Sequence, residues 1–230
     1  MQKDQNPNPK LQRSSNIQIS KKHHERIGCF GFLNLDIPWD LGLGICSFAR
    51  MRARPLQFAF RHIGKTMALS VGTKAPDFTL STKTADGPKQ VKLSDNFGKK
   101  HTLLLFFPMA FTGTCTTEMC GVTMDLSAYG SLNAQVYGIS GDNPFAQEAW
   151  AQKERITVPL LSDYEHEVAR AYEVAYDEFL PQMSLGMGGV PKRAVFIIDR
   201  DGVIQYAECN DDARALPNFD KVKARLGELK

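Results

Sequence analysis

The strongest constraint in this sequence is one local pattern, a short apolar run that stops abruptly and gives way to a helix. Residues 103–107 suit a buried strand, and Pro108 and Gly113 then break it. A helical pattern opens at Thr114 and Cys115, so Cys115 is expected in the first turn, where backbone N–H groups lack partners within the helix. Because a helix amino terminus carries partial positive charge, this position favours a thiolate, the nucleophilic form of cysteine.

Short strand-like runs alternate with helical stretches from Val71 onward, each bounded by Gly, Pro, Asn or Asp. The strand-like runs are 78–80, 102–107, 135–139, 194–198 and 203–207, and the helical runs are 116–132, 144–155, 166–172 and 219–229. Asp201-Gly202, between the last two strands, predicts a hairpin. The alternation, closed by a hairpin and a helix, predicts an α/β fold in which a mixed sheet is flanked by helices on both faces.

Charge divides the chain into two parts of opposite sign. Residues 1–66 hold 11 Lys and Arg against 4 Asp and Glu, whereas residues 67–230 hold 17 against 21. The formal net charge of +3 therefore arises in the first part and is no sign that the folded part binds nucleic acid. Residues 67–230 are long enough to bury a core without disulfides, so we expect one domain there, behind a poorly structured N-terminal extension, residues 1–66.

The extension shows no sustained period of 2 or 3.6 residues, and three interpretations of it remain open. It is a disordered or non-native leader upstream of a start at Met67, an organelle-targeting segment, or a partner-binding segment. The apolar stretch 27–49 is interrupted by Asp36, Pro38 and Asp40, and no signal-peptide core follows the first residues, so neither a membrane span nor export is expected. The three cysteines of residues 67–230, at uneven spacing, favour a reducing compartment. We therefore expect a cytoplasmic protein, or an organellar one if the extension is a presequence.

Cys115 alone could be a small buried hydrophobic residue, the commonest state of a free cysteine. Its neighbours favour chemistry instead, because the chain carries Pro108-x-x-x-Thr112-x-x-Cys115 and a lone Arg193 that enters a strand able to lie beside the first. This combination resembles the peroxiredoxin family over nearly all of residues 69–230. The resemblance implies a thioredoxin-like fold in which Cys115 attacks a peroxide and Pro108 shields it. Thr112 and Arg193 then orient the peroxide.

Arg193 has a physical reason to be at such a site, since its permanent charge stabilises both a thiolate and the negative charge that develops on the leaving oxygen. A surface ion pair is the alternative. Glu118 either caps the helix, holds a neighbouring arginine or is an exposed helix charge. Trp150 and Phe111 either line the pocket, form a dimer contact or pack in the core.

The second cysteine of the helix, Cys120, lies five residues beyond Cys115, as in the bacterioferritin-comigratory or Q-type peroxiredoxins, and the resemblance implies that it resolves the sulfenic acid. Five steps along an ideal helix separate two Cα atoms by roughly 8.6 Å, more than the roughly 7 Å that a disulfide spans. We therefore expect the first helical turns to unwind between attack and resolution. Because residues 208–220 are more similar to the AhpE-type branch, an external thiol could resolve Cys115 instead, and Cys209 is either a resolver or inert.

The resemblance implies a thioredoxin-dependent peroxidase that reduces hydrogen peroxide and organic hydroperoxides, with thioredoxin or a similar dithiol as reductant, acting as a monomer or homodimer. No cofactor is expected because the cysteine carries the redox chemistry, and no metal because no His or Cys pair follows at zinc-site spacing. Two rival functions remain: disulfide exchange of the thioredoxin kind, which usually uses Cys-x-x-Cys, and a holdase or scaffold without a reactive thiolate. Loss of Cys115 labelling after peroxide treatment would separate them.

Overall fold

One inner strand of the sheet is the apolar run that precedes Cys115, and every residue of that strand is buried. The computed structural model describes residues 68–229, and the expected extension, residues 1–66, lies outside them. The described strands are β1 (Thr79–Thr84), β2 (Gly87–Lys92), β3 (His101–Phe106), β4 (Ala134–Ser140), β5 (Leu160–Ser162), β6 (Arg193–Ile198) and β7 (Ile204–Asn210). The described helices are α1 (Gly113–Met124), α2 (Leu126–Ser131), α3 (Pro144–Glu154), α4 (Glu167–Ala171) and α5 (Phe219–Glu228).

The strands form one mixed sheet in the order β2-β1-β5-β4-β3-β6-β7. Strand β3 pairs in parallel with β4 and antiparallel with β6. The sequence expectation that the strand entered by Arg193 lies beside the strand before Cys115 is therefore correct. The register places Phe106, at the end of β3, opposite Ala194, at the start of β6. Arg193 therefore lies at the same end of the sheet as the carboxyl end of β3, from which the chain continues into α1.

Alternate residues of β3 belong to different cores, as the two-residue period of a strand requires. Leu103 and Leu105 pack with residues of α1, α2, α3 and α5, whereas Leu104 and Phe106 pack with residues of α4 on the other face. A strand buried on both faces reads as a continuous apolar run, which is why β3 was visible in the sequence. The predicted mixed sheet with helices on both faces is confirmed.

Three elements differ from the sequence prediction. The edge strand β2 was missed because Val91 is its only large apolar residue, and β5 was missed because it is only three residues long. The predicted helix 116–132 is two helices, divided at Asp125, whose ψ of 3° is not helical. The Asp125 carboxylate pairs with Lys223 of α5 at 3.0 Å, a long-range contact that no local pattern reveals.

The hairpin predicted at Asp201-Gly202 joins β6 to β7. Gly202 has a φ of +79°, a conformation that residues with a Cβ rarely adopt, and its N–H donates to the Asp199 carbonyl. Among residues 68–229, no helix is both long enough and apolar enough to cross a membrane.

Candidate active site

The loop between β3 and α1 sets the position of Cys115. Pro108 is buried where β3 ends, and the N–H of Ala110 donates to the Asp142 carboxylate at 2.8 Å, which fastens the loop to the end of β4. Phe111 has a φ of +62°, so the chain turns sharply before Thr112, the extended residue that precedes α1. Cys115 is the third residue of α1, in its first turn as the sequence predicts, and is 2% exposed.

Arg193 reaches Cys115 from the neighbouring strand. Its Nη2 lies 3.2 Å from Cys115 Sγ, and its Nη1 forms an ion pair with the Glu118 carboxylate. Its Nε and Nη2 donate to the carbonyl of Ala213 at 3.0 and 2.8 Å. The Arg193 side chain is 1% exposed, so the alternative reading of a surface ion pair is wrong. The guanidinium is held on three sides and directs one edge at the sulfur.

Glu118 completes this group from within α1, one turn beyond Cys115. Its side chain is fully buried, and its Oε1 has no hydrogen-bond partner among the described residues. Burial raises the pKa of Glu118 from its ordinary 4.5 to about 7, although the charge of Arg193 acts in the opposite direction. Of the three sequence interpretations, the one in which Glu118 holds an arginine is correct.

The raised pKa of Glu118 predicts that this carboxyl makes folding less favourable as pH rises. Between pH 4.5 and about 7 the folded protein retains a proton that the unfolded chain has lost, so the free energy of unfolding falls across that window and levels off above it. From about pH 5 to about pH 8, wild type should lose roughly 1–3 kcal/mol relative to Glu118→Gln. Denaturant melts of both proteins over this range measure the difference.

A second buried titratable group, His101, also makes the stability of the protein depend on pH. Burial lowers the pKa of His101, so its contribution to stability is lost as pH falls, the opposite sign to Glu118. Because His101 is present in both proteins, its effect cancels when their stabilities are subtracted. Parallel pH profiles for wild type and Glu118→Gln would contradict the assignment.

Thr112 and Pro108 lie on the loop that covers the start of α1. The Thr112 hydroxyl donates to the Met109 carbonyl at 2.9 Å and makes no capping bond to α1. Thr112 is exposed and Pro108 is buried. The structure therefore brings Cys115, Glu118 and Arg193 into contact, and places Thr112 and Pro108 on the adjoining loop.

A loop after β7 anchors Arg193, and no sequence pattern indicates this contact. Lys192 pairs with the Asp211 carboxylate at 2.7 Å, and the Tyr176 hydroxyl donates to the Asp211 carbonyl at 2.7 Å. These contacts hold the chain just ahead of Ala213, whose carbonyl accepts from Arg193. Main-chain acceptors have no sequence signature, because every residue carries the same carbonyl.

Two further cysteines lie near this group without touching Cys115, and all three are free thiols. Cys120 is half-buried on α1, which is helical without interruption through both residues, and its Sγ faces the Glu154 carbonyl at 3.7 Å. Cys209 lies on β7 opposite Ala194 and packs with the core on the α4 side of the sheet, whereas Cys115 packs on the α1 side. Burial raises the pKa of Cys209 to about 11, which disfavours its thiolate.

The two aromatic residues left open by the sequence have different environments. Trp150 is fully buried, and its ring lies 5.4 Å from that of Phe107 between centroids. Phe111 is 51% exposed and its ring centroid lies 6.4 Å from that of Trp150. Core packing is therefore correct for Trp150 and wrong for Phe111, which lies at the surface on the loop between β3 and α1.

The chain is similar to known proteins in both sequence and structure. The AhpC/TSA family matches residues 71–207 of the chain. The chain is 33% identical to the chloroplastic 2-cysteine peroxiredoxin from Chattonella marina var. antiqua. The match extends over 152 residues, 63% of this chain and 73% of that protein. It is 34% identical over 142 residues to alkyl hydroperoxide reductase E from Mycobacterium bovis, covering 61% of this chain and 85% of that protein.

The fold matches that of a solved peroxidoxin. Peroxidoxin BcpB from Mycobacterium tuberculosis superimposes with a TM-score of 0.59 at 28% identity, covering 70% of this chain and 99% of that one. The expected thioredoxin-like sheet with flanking helices is thereby confirmed.

Proposed function

The chain belongs to the AhpC/TSA family and reduces peroxides through a thiol, and we propose that this thiol is Cys115. The single observation that carries the proposal is the 3.2 Å contact between Cys115 Sγ and Arg193 Nη2 in the first turn of α1. The permanent positive charge of Arg193 lies where it can stabilise negative charge on this sulfur and on the peroxide oxygen during attack.

The proposed reaction is a displacement on the peroxide oxygen. The Cys115 thiolate attacks one oxygen, so an S–O bond forms as the O–O bond breaks, and the second oxygen leaves with the electron pair. The leaving oxygen takes a proton and departs as water or an alcohol, while the sulfur is oxidised to a sulfenic acid. Arg193 stabilises the charge that develops on the leaving oxygen. Thr112 orients the peroxide, and Pro108 shields the sulfur from other reactants.

Glu118 acts on this reaction through Arg193 rather than through the substrate. Its carboxylate and the Ala213 carbonyl fix the guanidinium from two directions, which leaves the Nη2 edge aimed at the sulfur. A guanidinium held in place before the substrate binds needs no reorganisation during the attack. We therefore propose that Glu118 is a positioning residue for Arg193.

We further propose that Cys120 resolves the sulfenic acid. Cys115 and Cys120 lie on one continuous helix, and an ideal helix holds Cα atoms at this spacing roughly 8.6 Å apart, beyond disulfide reach. The first turns of α1 must therefore unwind before the bond can form. Cys209 is a poor candidate, because the sheet separates it from Cys115.

A stoichiometric oxidation tests the assignment of both sulfurs. Treating the reduced protein with one equivalent of hydrogen peroxide should give a peptide pair linked through Cys115 and Cys120, detected by mass spectrometry after proteolysis under non-reducing conditions. Cys209 should stay free and alkylatable in the same sample. A sulfenic acid that persists at Cys115, trapped by dimedone, would instead assign resolution to an external thiol.

The reductant, compartment and assembly state are proposed on the same footing. We propose that thioredoxin or a similar dithiol protein reduces the disulfide that unwinding exposes, and that hydrogen peroxide and organic hydroperoxides are substrates. The protein acts as a monomer or homodimer in the cytoplasm, or in an organelle if residues 1–66 are a presequence. The proposed reductant is tested by measuring peroxide-dependent oxidation of NADPH in the presence of thioredoxin and its reductase.

A further inference from the structure

One face of α1 is tied to α3 and to the segment after it by three hydrogen bonds. The tied residues are Thr116, Cys120 and Thr123, which share a face because they are four and three positions apart. Trp150 Nε1 donates to Thr116 Oγ1 at 3.2 Å, Cys120 Sγ faces the Glu154 carbonyl at 3.7 Å, and the Thr157 N–H donates to Thr123 Oγ1 at 3.2 Å. Of these three hydrogen bonds, the one between Trp150 and Thr116 is disrupted first if α1 unwinds from its amino end.

The Trp150–Thr116 bond is costly to break because of where its donor lies. Trp150 is fully buried, its indole N–H is its only side-chain donor, and Thr116 is the acceptor. A buried donor left without a partner destabilises the state that contains it far more than an exposed one does. Thr117 provides the contrast, since its exposed hydroxyl donates to the Gly113 carbonyl within α1 itself.

We propose that Thr116 and Trp150 are positioning residues for the resolution step: their hydrogen bond keeps the first turns of α1 wound, and its rupture sets how fast Cys120 reaches oxidised Cys115. This inference rests on the proposed function. Once α1 unwinds, the Cys120 sulfur loses its proton and attacks the Cys115 sulfenic acid. The S–S bond forms as the S–O bond breaks, and the hydroxide leaves with that proton as water. The peroxide has already supplied the oxidising equivalents.

The test compares Thr116→Val with Thr117→Val, a matched pair because both changes exchange a hydroxyl for a methyl group at adjacent positions of the same helix. After rapid mixing with excess peroxide, acid-quenched samples are alkylated and the sulfenic acid and disulfide are counted by mass spectrometry over time. The phase that does not depend on peroxide concentration is resolution. We expect it to be about fivefold faster in Thr116→Val, as the loss of one hydrogen bond predicts.

Two readouts separate this role from a general loss of stability. The peroxide-dependent phase, attack by Cys115, should be the same in Thr116→Val and wild type. Thr116→Ser keeps the hydroxyl and should restore the wild-type resolution rate.

The outcomes divide cleanly between the two proposals. Equal resolution rates in Thr116→Val and Thr117→Val, with the Cys115–Cys120 disulfide still formed, would overturn the role of the Trp150–Thr116 bond and leave the unwinding step intact. Absence of any oxidation at Cys115 in wild type would overturn the proposed function and this inference with it. A faster resolution phase in Thr116→Val alone, reversed by Thr116→Ser, is the result we expect.

Discussion

Replacing Cys115 with serine is expected to lower peroxide consumption at least about a thousandfold, to the level of the reaction mixture without protein. The sulfur is needed twice, first as the thiolate nucleophile and then as the atom that accepts oxygen and becomes a sulfenic acid. A serine hydroxyl ionises far less readily, and its oxygen cannot take the second role. Loss of peroxide, followed with thioredoxin and its reductase and separately with a small dithiol, measures the effect.

The other two cysteines are the controls for that experiment. Cys209→Ser should leave the rate unchanged, since Cys209 packs on the opposite face of the sheet. Cys120→Ser should keep the first oxidation of Cys115 but change the dependence on reductant, because no disulfide then forms for thioredoxin to attack. Wild-type turnover by Cys115→Ser would refute the assignment of the nucleophile.

The fold could be predicted from the sequence wherever local patterning and burial agree. Strand β3 and the start of α1 were visible because an apolar run, Pro108 and Gly113 mark both boundaries within a few residues. The edge strand β2 could not be found, because a solvated strand at a sheet edge has no apolar alternation to detect. No Gly or Pro marks the break at Asp125, and the ion pair between Asp125 and Lys223 joins residues too far apart for a local window of sequence to contain both.

The site was predictable as a set of residues but not as a set of contacts. Cys115 and Arg193 were singled out from motif and chemistry, yet 78 positions separate them, and only the pairing of β3 with β6 brings them together. The sequence allows three interpretations of Glu118, because nothing in α1 alone indicates that its face is buried. The one sequence feature that places it near the sulfur is its position three residues after Cys115, which puts both side chains on one helix face. No sequence feature indicates that the Ala213 carbonyl accepts hydrogen bonds from Arg193.

Replacing Arg193 should reduce the rate of attack almost as severely as loss of the sulfur. In Arg193→Lys a positive charge remains, but a single ammonium cannot contact Cys115, Glu118 and the Ala213 carbonyl together as the guanidinium does. We expect the second-order rate constant with peroxide to fall about 100-fold in Arg193→Lys and about 1000-fold in Arg193→Met. Stopped-flow measurements at several peroxide concentrations give this constant directly.

Arg193→Met also removes the cation that lowers the pKa of the buried Glu118 carboxyl, so this group keeps its proton at neutral pH, and the variant should lose about 1–3 kcal/mol of stability through the lost hydrogen bonds. A low rate in that variant alone could therefore reflect unfolding. The double variant Arg193→Met with Glu118→Gln replaces that carboxyl with an amide of similar shape that does not ionise in the unfolded chain, so it should recover most of the lost stability at neutral pH. It should remain as slow as Arg193→Met, since neither replacement supplies a cation at the sulfur. A double variant that recovers stability and also attacks peroxide at the wild-type rate would show that the guanidinium holds the fold and takes no part in the reaction.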